Sequence, residues 1–171
     1  MDKSLKSNSS TETKNYMTAA TLNRKLDVSL LITRIGLGIV VAAHGAQKLF
    51  GWFGGYGYDG TVGFFTAVIG LPYLLAVGII LLESVGMIAL VVGAFTRVLS
   101  GALILIMLGA IFTTHISNGF FMNWSGTQSG EGYEFHLLML VLCTVLTLNG
   151  AGAYSLDKLL FNKNKVKPNL A

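Results

Sequence analysis

Residues 72–115 read PYLLAVGIILLESVGMIALVVGAFTRVLSGALILIMLGAIFTTH, which is two long apolar runs separated by Thr96 and Arg97. A helix that crosses a bilayer needs about 20 predominantly apolar residues, with a range of about 17 to 25. The first run, from about Pro72 to Phe95, and the second, from about Val98 to His115, both fall in this range. Because so few residues separate them, we predict a tight antiparallel helical hairpin.

Two further apolar runs lie outside this hairpin, from about Val28 to Phe50 and from about Glu134 to Tyr154. None of the four runs alternates apolar and polar residues, which argues against a β-barrel. The chain is 53% hydrophobic and 12% charged, against about 25% charged residues in a soluble domain. The sequence therefore predicts an all-α integral membrane protein, an up-and-down bundle of four transmembrane helices.

The basic residues indicate how the bundle lies in the membrane. Those outside the apolar runs precede the first run, lie in the hairpin or follow the fourth run: Lys3, Lys6, Lys14, Arg24, Lys25, Arg97, Lys158, Lys163, Lys165 and Lys167. With four spans, all of these fall on one side, which the positive-inside rule makes cytoplasmic. We therefore expect both termini in the cytoplasm and no nucleic-acid partner. Residues 1–26 are expected to form a flexible cytoplasmic tail, 27–160 the membrane domain and 161–171 a basic C-terminal tail.

Polar side chains gather at the opposite, outer ends of the predicted spans. His44, Gln47 and Lys48 are three or four residues apart and so share one helix face. Every histidine falls at an outer end, where a polar pocket is predicted. The candidate ligand-binding residues are Arg34, His44, Gln47, Lys48, Glu83, His115, Glu134 and His136.

Glu83 lies near the middle of the second span, where a charge costs roughly 2.5 to 3.5 kcal/mol. It therefore needs a partner or a proton. Arg34 could supply a structural ion pair that fixes helix register, and Lys48 or His44 could reach Glu83 from the outer side. Lys48 could also simply extend to the outer headgroups. The sequence does not decide among these arrangements.

The pocket chemistry favours an amphiphile over a metal ion. No HxxxH or HxH pair is present, so no metal site is predicted. A quinone fits better as a cofactor or ligand, because its carbonyl oxygens accept hydrogen bonds from His, Gln or Lys and its ring stacks on aromatic side chains. No residue can be named as catalytic from the sequence.

A combination of short segments resembles the DoxX family of four-helix membrane proteins. The segments are R-I-G-L-G from Arg34, H-G-A-Q-K-L-F-G from His44, G-L-P from Gly70, the mid-span Glu83, G-A-F-T-R ending at Arg97, H-I-S-N-G-F-F from His115, G-Y-E-F-H from Gly132 and G-A-G-A-Y-S-L-D ending at Asp157. The resemblance covers about Arg34 to Leu159. It implies a multi-pass protein of a bacterial cytoplasmic membrane in a redox or oxidative-stress setting.

Three functions remain open at this point. The first is a quinone-binding subunit of a membrane oxidoreductase, whose electrons come from a soluble or membrane redox partner, because the chain has no CxxCH and no Rossmann glycine pattern. The second is an accessory or assembly protein for other membrane proteins. The third is a small proton-coupled transporter with Glu83 as proton carrier, for which a homo-oligomer would supply more spans.

Overall fold

The computed structural model describes residues 3–161, with side chains described from residue 16 to residue 160. This part of the chain is helical and contains no strand. Three helical segments are long and apolar enough to cross a membrane: Tyr16–Phe50, Tyr73–Val92 and Thr96–Asn118. The prediction of an all-α membrane bundle is confirmed at this level.

The first helix, α1 (Lys3–Phe50), is longer than the sequence predicted. It runs without a break through most of the segment for which we expected a flexible tail. Residues 3–35 contain neither Gly nor Pro, so nothing in the chain forces the helix to begin near Val28. The predicted C-terminal tail lies almost entirely outside the described residues, and the division into tails and membrane domain stays a prediction.

The second span consists of α3 (Tyr73–Leu81), a π-helical turn (Leu82–Gly86) and α4 (Met87–Val92). Pro72 precedes its first residue, as expected from proline's preference for helix starts. The segment before it holds a 3₁₀ turn (Trp52–Gly54) and the short helix α2 (Gly57–Gly63), which continues as a π-helical turn (Phe64–Val68).

The third span begins with α5 (Thr96–Ala110) and continues through a π-helical turn (Ile111–His115) to a 3₁₀ turn (Ile116–Asn118). The predicted hairpin is present, but its turn is Gly93–Phe95 and not Thr96 and Arg97. Gly93 and Phe95 have φ of 74° and 52°, and the Asp157 carboxylate accepts hydrogen bonds from the Phe95 and Thr96 N–H groups at 2.7 and 2.9 Å. This cap starts the helix at Thr96.

A fourth apolar helix, α6 (Glu134–Asn149), has 16 residues. It ends at Gly150, which has φ 79° and stops the helix before the predicted end at Tyr154. A last short helix, α7 (Leu156–Phe161), follows. That α6 also spans the bilayer, which would make four spans, remains a proposal, as does the cytoplasmic position of both termini.

The helices pack as one bundle. Helix α1 packs against the second span and α6, and α5 packs along α6. Their shared core contains the fully buried side chains of Leu37, Met87, Leu103 and Leu146. We call the end of the bundle with Phe50, His115 and Glu134 the histidine end, and the opposite end, with the turn Gly93–Phe95, the hairpin end.

Candidate functional site

A cavity of about 510 Å³ lies inside the histidine end of the bundle. Helices α1, α3, α5 and α6 contribute to its walls, together with both segments that connect spans at this end. Most of the lining is apolar, including Phe65, Leu75, Ile79, Ile106 and Phe135. Its volume and apolar lining are those of a small-molecule site, in which a few polar groups set the orientation of the ligand.

Five of the eight residues singled out from the sequence line this cavity: His44, Lys48, Glu83, His115 and His136. They come from four different helical segments, so the polar pocket forms only when the bundle packs. That these residues bind a ligand stays a prediction.

An ion pair between Lys48 and Glu83 lies in the cavity wall. The Lys48 Nζ donates to Glu83 Oε2. The Glu83 side chain is 2% exposed and that of Lys48 28%, so this buried carboxylate has a charged partner, as a buried charge requires. Of the partners that the sequence left open for Glu83, the structure therefore selects Lys48.

Two backbone features bring this pair together. Glu83 lies in the π-helical turn Leu82–Gly86, a local widening that often marks a functional position in a helix. On the facing helix, a Cβ at Gly45 would overlap the backbone carbonyl of Glu83. The missing side chain lets α1 approach the turn closely, and Lys48, three residues further along the same face, then reaches the carboxylate.

Two histidine rings lie together in the cavity, with the centroids of His115 and His136 4.1 Å apart. His115 Nδ1 is 2.8 Å from the backbone oxygen of Glu131, which can only accept, so Nδ1 carries a proton. His136 is 8% exposed, and its buried Nδ1 has no hydrogen-bond partner among the described residues. Buried polar atoms are rarely left unpaired, so His136 has hydrogen-bonding capacity that the described residues do not use.

His44 and Gln47 form a further pair at the histidine end. His44 Nδ1 lies 3.1 Å from Gln47 Oε1, and Gln47 Nε2 donates to the Phe53 carbonyl at 3.4 Å. With the amide oriented in this way, its oxygen accepts and His44 Nδ1 donates. Gln47 is not part of the cavity lining, and its contact orients the imidazole of His44.

Glu134 and Arg34 also lie outside the lining. Glu134 Oε2 accepts from the Met122 N–H at 3.1 Å and holds the loop that precedes α6. Arg34 is fully buried near the hairpin end, where it donates to the carbonyls of Val91 at 3.3 Å and Tyr154 at 2.5 Å. Arg34 therefore joins three parts of the chain. The ion pair between Arg34 and Glu83, one of the alternatives expected from the sequence, is not formed, because the guanidinium donates to these backbone oxygens.

Sequence reasoning missed several lining residues. Phe64, Phe65 and Met122 come from the connecting segments, and Glu131 lies three residues before Glu134. Only Glu131 carried a signal, as a carboxylate beside the candidate Glu134. Among the described side chains, no group of three or more His, Cys, Asp or Glu residues is arranged to hold a metal ion.

The fold and its apolar spans define an integral membrane protein with a helical bundle. The family model described as DoxX matches residues 29–116. The chain therefore belongs to the DoxX family, as its sequence segments indicated. The matched residues include the ion pair and His115 but end before α6, so His136 and Phe135 lie outside the match. No curated protein and no solved structure matches the chain.

Proposed function

We propose that this DoxX protein binds a quinone, or an amphiphile of similar size and polarity, in the cavity at the histidine end. The observation that carries the proposal is the unpartnered, buried Nδ1 of His136 in a largely apolar cavity that also contains the Lys48–Glu83 pair. Buried polar atoms usually have a hydrogen-bond partner. Of the three described side-chain atoms that are buried without one, Arg34 Nε, Thr96 Oγ1 and His136 Nδ1, only the last belongs to a residue that lines the cavity. A bound molecule with its own polar atoms supplies the missing partner.

Each part of a quinone has a counterpart in the lining. The cavity volume of about 510 Å³ falls within the range of about 300 to 1,000 Å³ typical of small-molecule sites. The flat ring packs against aromatic side chains such as Phe135 and Phe65. The ammonium of Lys48 donates to a quinone carbonyl, and a neutral imidazole of His136 donates or accepts according to its tautomer.

The same groups would favour reduction of a bound quinone. A donor aimed at the carbonyl oxygen stabilises the negative charge that develops there when electrons enter the ring. The chain offers no CxxCH for haem attachment and only one cysteine, Cys143. Electrons would therefore come from a partner protein or a soluble donor, and this chain would serve as a quinone-binding subunit and not as a complete oxidoreductase.

The membrane setting follows from the charges. With both termini on the cytoplasmic side, the histidine end faces outward, and the cavity lies in the outer half of the bilayer. The family resemblance adds a bacterial cytoplasmic membrane as the location. In this orientation a partner that delivers electrons from outside would dock on the loops of the histidine end.

A second candidate function is supported by the surface of those loops. Trp52, Phe53, Tyr56 and Trp124 are 59%, 73%, 83% and 86% exposed. Aromatic side chains are enriched in protein interfaces, although Trp and Tyr also settle at the edge of a bilayer. An accessory protein that assembles other membrane proteins would use this surface. Crosslinking in native membranes that returns one stoichiometric partner, with no quinone bound, would favour this second function.

A binding titration tests the first function. The purified protein in lipid nanodiscs is titrated with a methylated 1,4-naphthoquinone, and bound ligand is measured by equilibrium dialysis. We expect saturable binding that weakens at least about tenfold in the Lys48→Met/Glu83→Gln double variant, because one charge-assisted hydrogen bond is worth about 1.5 to 3 kcal/mol. Removing both charges together leaves neither one buried alone.

Lys158→Met is the matched control, because Lys158 is exposed and lies on α7 outside the cavity. Its dissociation constant should equal that of the wild type. An absence of saturable binding in the wild type, or equal affinity in the double variant, would contradict the proposed function.

A further inference from the structure

Resting on the quinone site proposed above, we propose that the cavity opens sideways into the bilayer between α3 and the half of α5 nearer the histidine end. A ligand would place its polar headgroup beside Lys48 and His136. Its apolar tail would extend through this opening and lie between the two helices. The substrate class is thus a membrane-resident amphiphile with a hydrocarbon or isoprenoid chain, and not a water-soluble molecule.

Two helix faces form the walls of the opening. Leu75 and Ile79 line the cavity from α3, and Leu105 and Gly109 line it from α5. Each pair is four residues apart and so lies on one face of its helix. Leu75 is 51% exposed and Leu105 71% exposed. Side chains that line a cavity and are also this exposed lie at its mouth.

The packing of the second span explains why an opening exists here. This span contacts α5 through α4 and the π-helical turn Leu82–Gly86, on the side of Glu83 that leads to the hairpin end. Beyond Glu83, α3 packs mainly on α1 and on the segment Gly57–Val68. The second span and α5 are therefore joined at the hairpin and diverge toward the histidine end, which leaves a wedge between them.

The chemistry of the wedge indicates its occupant. The part of the mouth between Leu75, Ile79, Leu105 and Gly109 carries only aliphatic side chains or glycine. The exposed polar lining residues lie closer to the histidine end: His44, Thr113, Thr114 and Glu131. The side chains of the polar cluster, Lys48, Glu83 and His136, are partly or fully buried. The medium that surrounds Leu75 and Leu105 in a membrane is lipid hydrocarbon. A ligand that reaches the polar cluster from this side crosses hydrocarbon. Transfer of a charged or strongly polar molecule into hydrocarbon has a large free-energy cost.

The test uses two ligands with one headgroup. One is the tailless methylated naphthoquinone, and the other carries a four-unit isoprenoid chain on the same ring. Gly109→Leu narrows the opening, because Gly109 lines the cavity and a Cβ there meets nothing within 4 Å, so the added side chain starts from open space. Gly78→Leu is the matched control, since Gly78 is also an exposed helical glycine with open space but lies outside the lining.

We expect Gly109→Leu to weaken binding of the tailed naphthoquinone at least about tenfold and that of the tailless one by less than about twofold. Gly78→Leu should change neither. If Gly109→Leu weakens both ligands equally, or neither, the tail proposal is overturned while the headgroup site stands. If the wild type binds neither ligand, the proposed function and the tail proposal both fall.

A photoreactive group at the end of the isoprenoid chain gives a second readout. Labelling should concentrate on the facing sides of α3 and α5, around Leu75 and Leu105. Leu148 on α6 is the control position, because it is also 71% exposed but lies outside the cavity. Equal labelling at Leu148 would overturn the proposal. A competition experiment gives a further outcome that would overturn the proposal: excess phospholipid displaces the label and the tailless naphthoquinone does not. The wedge would then hold an ordinary acyl chain.

Discussion

Gly45 of α1 lies so close to the peptide group of Glu83 that a Cβ on Gly45 would overlap the Glu83 carbonyl. This close approach of two backbones sets the distance from which Lys48 reaches the Glu83 carboxylate. One residue without a side chain thus determines the geometry of the buried ion pair. The fold and the candidate site are coupled at this contact.

Gly45→Ala should destabilise the bundle by about 1 to 3 kcal/mol, the usual cost of inserting a group into a packed interior. Gly36 is the matched control on the same helix, since a Cβ there meets nothing within 4 Å. Gly36→Ala should stabilise the protein by about 0.5 to 1 kcal/mol, because alanine is the better helix former. The free energy of unfolding in mixed micelles checks both. Equal stability of the two variants would show that the helices do not approach at Gly45.

Lys48→Met alone should destabilise the protein by about 3 kcal/mol or more, because it leaves the Glu83 carboxylate buried without its partner. The double variant Lys48→Met/Glu83→Gln should recover most of this loss, since no unpaired charge remains. The same unfolding measurement gives the coupling energy through a double-mutant cycle. Additive effects of the two substitutions would rule out the ion pair.

Arg34→Lys should lower the free energy of unfolding by about 1 to 3 kcal/mol, because an ammonium does not reproduce the forked hydrogen bonds to Val91 and Tyr154. Arg97→Lys is the control, since Arg97 is exposed and donates to a single carbonyl at 3.2 Å. Its effect should stay within about 0.5 kcal/mol.

Arg34→Lys should also leave the affinity for the tailless naphthoquinone within about twofold of the wild type, since Arg34 lies outside the cavity. A tenfold loss of affinity in a folded Arg34→Lys protein would place Arg34 back among the ligand-binding residues.

Asp157→Ala should loosen the hairpin. The carboxylate accepts from the first two N–H groups at the start of α5, and loss of a helix cap costs about 0.5 to 2 kcal/mol. Hydrogen exchange at Phe95 and Thr96 should accelerate, while exchange in α6 remains slow. Asp59→Ala is the control, because Asp59 is exposed on α2. Unchanged exchange at Phe95 and Thr96 in Asp157→Ala would show that the carboxylate does not cap α5.

The spans could be predicted because a helix that crosses the hydrocarbon must be long and apolar, and the sequence from Pro72 to His115 contains two apolar runs of the required length. Helix ends were harder to predict, because they depend on contacts distant in sequence. The hairpin turn moved to Gly93–Phe95 because Asp157, about 60 residues later in the chain, caps α5 at Thr96. Hydropathy contains no information about such a cap.

Only part of the candidate site could be predicted, for a related reason. Helical periodicity gives the face of the helix on which a side chain lies. It does not give the residue of a neighbouring helix that the side chain contacts at the same depth in the membrane. Arg34 and Lys48 share one stripe of α1, yet fourteen residues separate them by roughly 21 Å along the helix axis. The structure consequently places Lys48 in the cavity wall and Arg34 near the hairpin end. The residues contributed by connecting segments, such as Phe65 and Met122, have no periodicity to reveal them.

The most direct measurement is an experimental structure of the protein in lipid with the methylated naphthoquinone bound. We predict density for the ring inside the cavity at the histidine end, with one oxygen within hydrogen-bond distance of Lys48 Nζ or of the unpartnered Nδ1 of His136. A naphthoquinone located elsewhere on the protein, or His136 Nδ1 bonded to a protein group in a collapsed cavity, would contradict the account.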